Sequence, residues 1–98
     1  MSDKYILDGK TVVPADLMTW AKWFESADRH VAQDQIGDAR ISTVFLGIDH
    51  QWGDGPPLIF ETMIFGGEHD QYQTRSSTWD EAEAQHAEAI KLVKGGMH

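Results

Sequence analysis

The spacing of apolar residues changes along this chain between the period of two typical of strands and the longer period typical of helices. Two short β-prone runs, residues 4–7 and 11–13, flank the dipeptide Asp8-Gly9. Because Gly accepts the positive φ of a tight turn, this pattern predicts an N-terminal β-hairpin.

Apolar residues then recur at helical spacing. Pro14 is expected in the first helical turn, where its missing N–H costs nothing, and Asp16 in the same turn favours the positive end of the helix dipole. The helix is predicted to end near residues 26–28. Its apolar face is expected to consist of Leu17, Trp20, Ala21 and Phe24, with Met18 and Trp23 beside it.

Four further segments have strand character: residues 29–36, 39–48, 58–65 and 71–76. The second and third are rich in β-branched and aromatic residues and are apolar on both faces, which is typical of central strands. The last is short and polar, which suits an edge strand.

A second helix is predicted at the C-terminal end. Thr78 and Glu81 have the spacing of a capping box, with Thr78 as the N-cap, and Gly95-Gly96 are expected to end the helix. The order β-β-α-β-β-β-β-α predicts one α+β domain with an antiparallel sheet. The buried stripe of this helix is expected to contain Trp79, Ala82, His86, Ala89, Ile90 and Val93.

Composition narrows the function classes. The chain has 98 residues and no cysteine, which excludes disulfides, thiolate zinc sites and cysteine nucleophiles. No apolar run approaches the roughly 18 residues of a membrane span. The N-terminus lacks the basic start and apolar segment of a signal peptide, so we expect a cytoplasmic protein with no membrane partner.

The formal net charge of −8 is concentrated in the middle of the chain. Residues 1–40 hold seven acids and five bases, residues 41–90 hold nine acids and one base, and residues 91–98 add two bases. Such a chain is repelled by nucleic acid and by anionic lipid. Spaced carboxylates also suit a partner protein whose basic surface is built for phosphates.

The loop of residues 49–57 carries the most unusual chemistry, because Asp49, His50, Trp52 and Asp54 stand between the two strongest strands. Three interpretations remain open: a structured hairpin loop, a protein-contact loop anchored by Trp52, and a metal or catalytic site. Adjacent Asp49 and His50 point to opposite sides of an extended segment, and no established catalytic motif is present. We therefore expect partner-binding residues here and no catalytic residue, metal ligand or cofactor.

A second acidic turn contains Glu68, His69 and Asp70, with Tyr72 following in the edge strand. It is predicted at the opposite end of the hairpin, more than about 20 Å from the first loop at 3.4 Å per residue. Glu68, Asp70 and Tyr72 are further candidate partner-binding residues. Tyr72 and Arg75 have two interpretations: cross-strand packing with a salt bridge from Arg75 to Glu61, which we favour, and a small recognition patch.

Two other residues keep two interpretations. Glu61 lies in the middle of a strand and is either a carboxylate paired with Arg40 or Arg75, or a catalytic acid. His86 lies on the buried stripe of the last helix and is either a core residue or a ligand.

Three runs, ISTVFLGIDH at 41–50, GPPLIFETMIFG at 55–66 and STWDEAEAQH at 77–86, resemble a group of small proteins encoded by bacteriophages and prophages. The resemblance covers about half of the chain. It implies a soluble accessory protein in the bacterial cytoplasm and carries over no enzymatic activity or cofactor. Small acidic phage proteins include inhibitors of host defence, among them anti-CRISPR proteins.

These observations support three hypotheses. The first is a non-enzymatic inhibitor, monomeric or a small homo-oligomer, that blocks a basic nucleic-acid-binding surface of a host protein without touching nucleic acid itself. The second is a virion or assembly accessory protein. The third is a small metal-dependent hydrolase that uses Asp49, His50, Asp54 or Glu61.

Overall fold

Two antiparallel sheets and two helices make up the part of the chain that the computed structural model describes, residues 3–51 and 53–95. The predicted α+β class and element order are confirmed. The elements are β1 (Tyr5–Asp8), β2 (Thr11–Pro14), α1 (Leu17–Ser26), β3 (His30–Ile36), β4 (Ala39–Phe45), β5 (Phe60–Phe65), β6 (Gln73–Ser76) and α2 (Trp79–Gly95).

Strands β1 and β2 form the predicted N-terminal hairpin. Asp8 pairs with Thr11, which leaves Gly9 and Lys10 as the two turn residues, and Gly9 has a φ of 62°. Positive φ at the first turn position alone is the geometry of a type II′ turn, for which Gly is preferred.

Strands β3 to β6 form a meander in which each strand pairs with the next along the chain. Strands β4 and β5 are therefore central and β6 is an edge strand, as their polarity predicted. In β4, buried residues alternate with more exposed ones, because α2 covers only one face of this sheet.

Helix α1 begins later than predicted. Pro14 is the last residue of β2, and Asp16 has extended backbone and is the N-cap. The Asp16 carboxylate accepts hydrogen bonds from the Thr19 backbone N–H at 2.9 Å and from the Thr19 hydroxyl at 3.1 Å. Placing both residues in the first turn was therefore wrong, since a capping side chain must stand outside the helix that it satisfies.

The hydrogen bond from the Thr19 backbone N–H lowers the pKa of Asp16, and the hydrogen bond from the Thr19 hydroxyl lowers it further by a smaller amount. A carboxyl with a lowered folded-state pKa stabilises the fold above its ordinary pKa. That stabilisation is lost as the pH falls through the lowered value.

The packed face of α1 also differs from the predicted one. Trp23 meets the ring of Phe45 edge-on at 5.5 Å, and the Trp20 indole N–H donates to the Gly47 carbonyl at 3.0 Å. Leu17 is 60% exposed and Met18 is 71% exposed. No residue of α1 is fully buried, because the helix lies at the periphery, where only its large aromatic side chains reach the core.

Helix α2 supplies the main packing. The Thr78–Glu81 capping box is confirmed, with Glu81 N–H donating to the Thr78 hydroxyl at 3.1 Å and Thr78 N–H donating to the Glu81 carboxylate at 3.2 Å. The buried members of the predicted stripe are Ala82, His86, Ala89 and Val93. The helix ends at Gly95, and Gly96 lies outside the described residues.

The β3–β4 turn and the β5–β6 turn approach each other closely at one end of the sheet. Gly66 has a φ of 87°, and a Cβ atom there would overlap the backbone carbonyl oxygen of Asp38. This contact therefore requires a residue without a side chain.

We expect Gly66→Ala to lower the free energy of unfolding by more than about 2 kcal/mol, since left-handed backbone and a steric overlap both disfavour the new Cβ. Gly9→Ala is the matched control, because Gly9 also has positive φ but nothing within 4 Å of the added atom. Its cost should be about 1 kcal/mol. Urea denaturation measures both, and equal losses would contradict the proposed overlap.

Candidate functional site

The two predicted acidic segments lie at opposite ends of β5, as expected. Residues 46–59 connect β4 to β5, and residues 66–72 connect β5 to β6. Strand β5 has six residues, which corresponds to about 20 Å at 3.4 Å per residue. The two segments therefore form separate surfaces.

Asp49 organises the first of these segments. One of its carboxylate oxygens accepts hydrogen bonds from the backbone N–H groups of Gln51 at 2.7 Å and Leu58 at 2.9 Å. These bonds close the loop at its base, so this oxygen of Asp49 has a structural task. For Asp49, the first of the three interpretations, a structured hairpin loop, therefore fits the contacts.

His50 and Asp54 are exposed, and Trp52 lies outside the described residues. Asp49, His50 and Gln51 line an open pocket of about 340 Å³ together with Arg75 from β6. The sequence pattern did not place Arg75 beside this loop, because their proximity depends on the pairing of β5 with β6.

Glu61 is a paired carboxylate, which was one of its two interpretations. The Arg75 Nε donates to Glu61 Oε2 at 3.1 Å, and the Gln73 side-chain amide donates to the same oxygen at 2.8 Å. Arg40, the alternative cation, instead stacks its guanidinium over the Phe65 ring at 4.7 Å.

Asp70 and Tyr72 both have structural contacts in the second acidic segment. The Asp70 carboxylate accepts a hydrogen bond from the Gly66 N–H at 2.7 Å, which closes the turn. Tyr72 is half-buried and packs against the cluster that contains Ile41 and Ile64. Of the two interpretations of Tyr72 and Arg75, the structure shows packing and a salt bridge rather than a shared patch, because Arg75 pairs with Glu61 on the opposite face of the sheet.

Glu68, in contrast, borders a groove of about 300 Å³, which we call the acid-rimmed groove. Its apolar floor is formed by Ile36, Ala39 and Val93. Its polar rim is formed by Glu68 and His69 on one turn and by Asp38 on the other. No local pattern singled out Asp38, since the two turns meet only when β3 to β6 form one sheet.

His86 lies in a chain of hydrogen bonds that crosses three strands. Its Nε2 is 2.7 Å from Asp34 Oδ2 on β3, and its Nδ1 is 2.8 Å from the Thr43 hydroxyl on β4. The Thr43 hydroxyl is in turn 2.6 Å from the Thr62 hydroxyl on β5. One set of proton positions satisfies every group: Thr62 donates to Thr43, Thr43 to His86, and His86 to Asp34.

The order hydroxyl, imidazole, carboxylate is that of a nucleophilic triad. Thr43, however, has 0% of its surface exposed, and its hydroxyl oxygen contacts both Thr62 and His86. A substrate carbonyl does not reach this oxygen in the folded protein. The chain therefore satisfies the buried polar groups of His86, Thr43 and Thr62 and ends at Asp34 on the surface, so the interpretation of His86 as a core residue fits its contacts.

Among residues 3–51 and 53–95, no group of three or more His, Asp or Glu side chains is arranged to hold a metal ion. Neither α1 nor α2, the helices of the described residues, has the length and apolar character needed to cross a bilayer.

Comparison of the chain with known proteins identified no related protein. No protein-family model matches the chain, and no curated protein and no solved structure matches it. The resemblance to phage and prophage proteins therefore stays a prediction from the three sequence runs.

We expect Thr43→Val to destabilise the fold by about 1–3 kcal/mol, because it leaves His86 Nδ1 without a donor and Thr62 without its acceptor in a buried site. Thr11→Val makes the same chemical change at an exposed strand position and should stay within about 0.5 kcal/mol. Denaturant unfolding measures both. A loss for Thr43→Val no larger than that for Thr11→Val would show that the buried chain contributes nothing.

Proposed function

We propose that this chain is a non-enzymatic, phage-derived binding protein that docks on a basic surface of a host protein in the bacterial cytoplasm. By covering that surface it would inhibit the host protein, as an anti-CRISPR-type inhibitor does when the surface binds nucleic acid. The observation that supports this proposal is a set of exposed carboxylates without a partner. Within the described residues, no hydrogen bond or ion pair engages the side chains of Asp38, Asp54 or Glu68.

Several other acids are engaged within the fold, although Asp8, Glu25, Asp80 and Glu83 are, among the described residues, exposed and unpaired like these three. Glu61 and Asp34 are paired with Arg75 and His86. Asp16, Asp49 and Asp70 accept hydrogen bonds from backbone N–H groups. Carboxylates used in this way stabilise turns and helix ends, whereas unpaired ones leave negative charge available at the surface.

Spaced surface carboxylates are suited to a protein that normally binds phosphates. Such a protein presents lysine and arginine side chains that are largely neutralised only when nucleic acid is bound. An acidic protein is steered to that surface over a distance comparable with the Debye length, about 8 Å at physiological salt. The resemblance to phage and prophage proteins supports a host-defence protein as the target, and the proposal includes a monomer or small homo-oligomer as the active species.

This proposal is tested with a panel of purified RNA-guided DNA-targeting complexes and a fluorescent target duplex. We expect the protein to prevent target binding by at least one complex, measured by fluorescence anisotropy, and to do so less well as salt rises. If every complex binds its target normally at a large excess of the protein, the anti-CRISPR form of the proposal is wrong.

The double reversal Asp54→Lys/Glu68→Lys should abolish or strongly weaken this inhibition. Its matched control, Asp8→Lys/Glu25→Lys, reverses two exposed acids on the hairpin and on α1. Each reversal adds two charges, so both variants change the net charge from −8 to −4. Equal weakening by the two variants would show that net charge, and not the placement of the carboxylates, governs binding. Asp49 is left unchanged because it holds its loop together.

The half-exposed face of the four-stranded sheet favours a second candidate, an assembly accessory protein. Val44, Met63 and Phe65 lie on this face, opposite α2, and are half-buried. On this alternative, sedimentation velocity should show a large homo-oligomer that Met63→Glu dissociates. A sedimentation coefficient that does not change with concentration, at the value for a monomer, would exclude self-assembly through this face.

A further inference from the structure

We infer that the acid-rimmed groove takes one arginine side chain of the partner protein. The inference rests on the proposed function and names the chemistry of one contact within it. The groove volume of about 300 Å³ is at the lower end of the range for ligand sites, which suits a single long side chain.

The groove has an acidic residue on each of two turns and an apolar floor. Asp38 stands on the β3–β4 turn and Glu68 on the β5–β6 turn, so two acidic residues line the groove from different turns. Val93 contributes to the floor from the last turn of α2. Gly67 also lines the groove, and a Cβ atom there would lie 3.4 Å from the Cβ of Ala39.

Both the apolar and the charged part of an arginine side chain match this groove. Its three methylene groups bury favourably on the floor, while its charged end remains near the surface. The guanidinium has five N–H donors in a planar fork, so one group is able to serve carboxylates on both turns.

Other occupants match the groove less well. An apolar side chain would cover the floor but leave two carboxylates beside it without a donor, and an anion is repelled by both. A lysine ammonium is compact and more strongly hydrated than a guanidinium, so it loses more on leaving water and presents fewer donors.

The probe for a test is N-acetyl-arginine-N-methylamide, titrated into the complete ¹⁵N-labelled chain at constant ionic strength. We expect the backbone amide signals of Gly37 and Gly67 to shift and that of Gly53, at the other end of β5, to stay in place. The citrulline analogue has a similar shape without the charge, and it should bind at least about fivefold more weakly. Binding of the citrulline or lysine analogue as tightly as arginine would overturn the arginine assignment.

Charge-neutral variants locate the site on the chain. Asp38→Asn and Glu68→Gln should each weaken binding of the arginine probe about twofold to fivefold, the range for a partly solvated ion pair. Glu25→Gln makes the same change on α1, outside the groove, and should leave binding unchanged. If Glu25→Gln weakens binding as much as Glu68→Gln, the attraction is general and the groove is not the site. The comparison with citrulline uses the unaltered chain, so it decides the question even if a variant folds poorly.

The two proposals fail in different ways. If the arginine probe leaves Gly37 and Gly67 unmoved while salt-dependent inhibition of a host complex persists, the groove assignment falls and the proposed function stands. If the probe binds the groove but no host complex is inhibited, the proposed anti-CRISPR function is contradicted, whereas the arginine site is supported.

Discussion

Helix α2 is held in one register on the sheet because His86 joins a chain of hydrogen bonds that reaches three strands. His86 contacts Asp34 on β3 and Thr43 on β4, and Thr43 contacts Thr62 on β5. His86 and the two threonines are buried, whereas Asp34 lies at the surface. Sliding the helix by one turn would leave several of these groups buried without hydrogen-bond partners. The free-energy cost of those lost hydrogen bonds is larger than the difference in apolar contacts between the two registers. This register places Ala82 beside the aromatic cluster at one end of the sheet and Val93 at the other end.

The same register creates the surface that we propose to be functional. Val93 completes the floor of the acid-rimmed groove, and the close approach of Gly66 to Asp38 brings the two turns together. Asp16, Asp49 and Asp70 are used to end a helix or close turns, and Glu61 pairs with a cation. Asp38 and Glu68 on the groove rim have no such task among the described residues, so their charge is available for the partner contact that we propose.

Local signals were enough to predict most of the architecture. The tight turn at Gly9 and the capping box of Thr78 depend on residues close in sequence, and both were confirmed. Helix α1 was less predictable, since Leu17 has the correct helical spacing but 60% of its surface is exposed. Helical periodicity shows which residues share a face, but it does not show how deeply a peripheral helix reaches into the core.

The residue pattern alone was sufficient for the fold class, the element order and the two acidic segments, because turns, caps and apolar periods act over a few residues. It was not sufficient to tell a structural acid from a free one. Asp49 and Asp70 proved to hold their turns, while Asp38, which no pattern singled out, lines the groove. The partner of a charged group is selected by strand register and helix packing, as Asp34 and His86 show across 52 residues of sequence. Such long-range pairing exists only once the sheet and α2 have assembled.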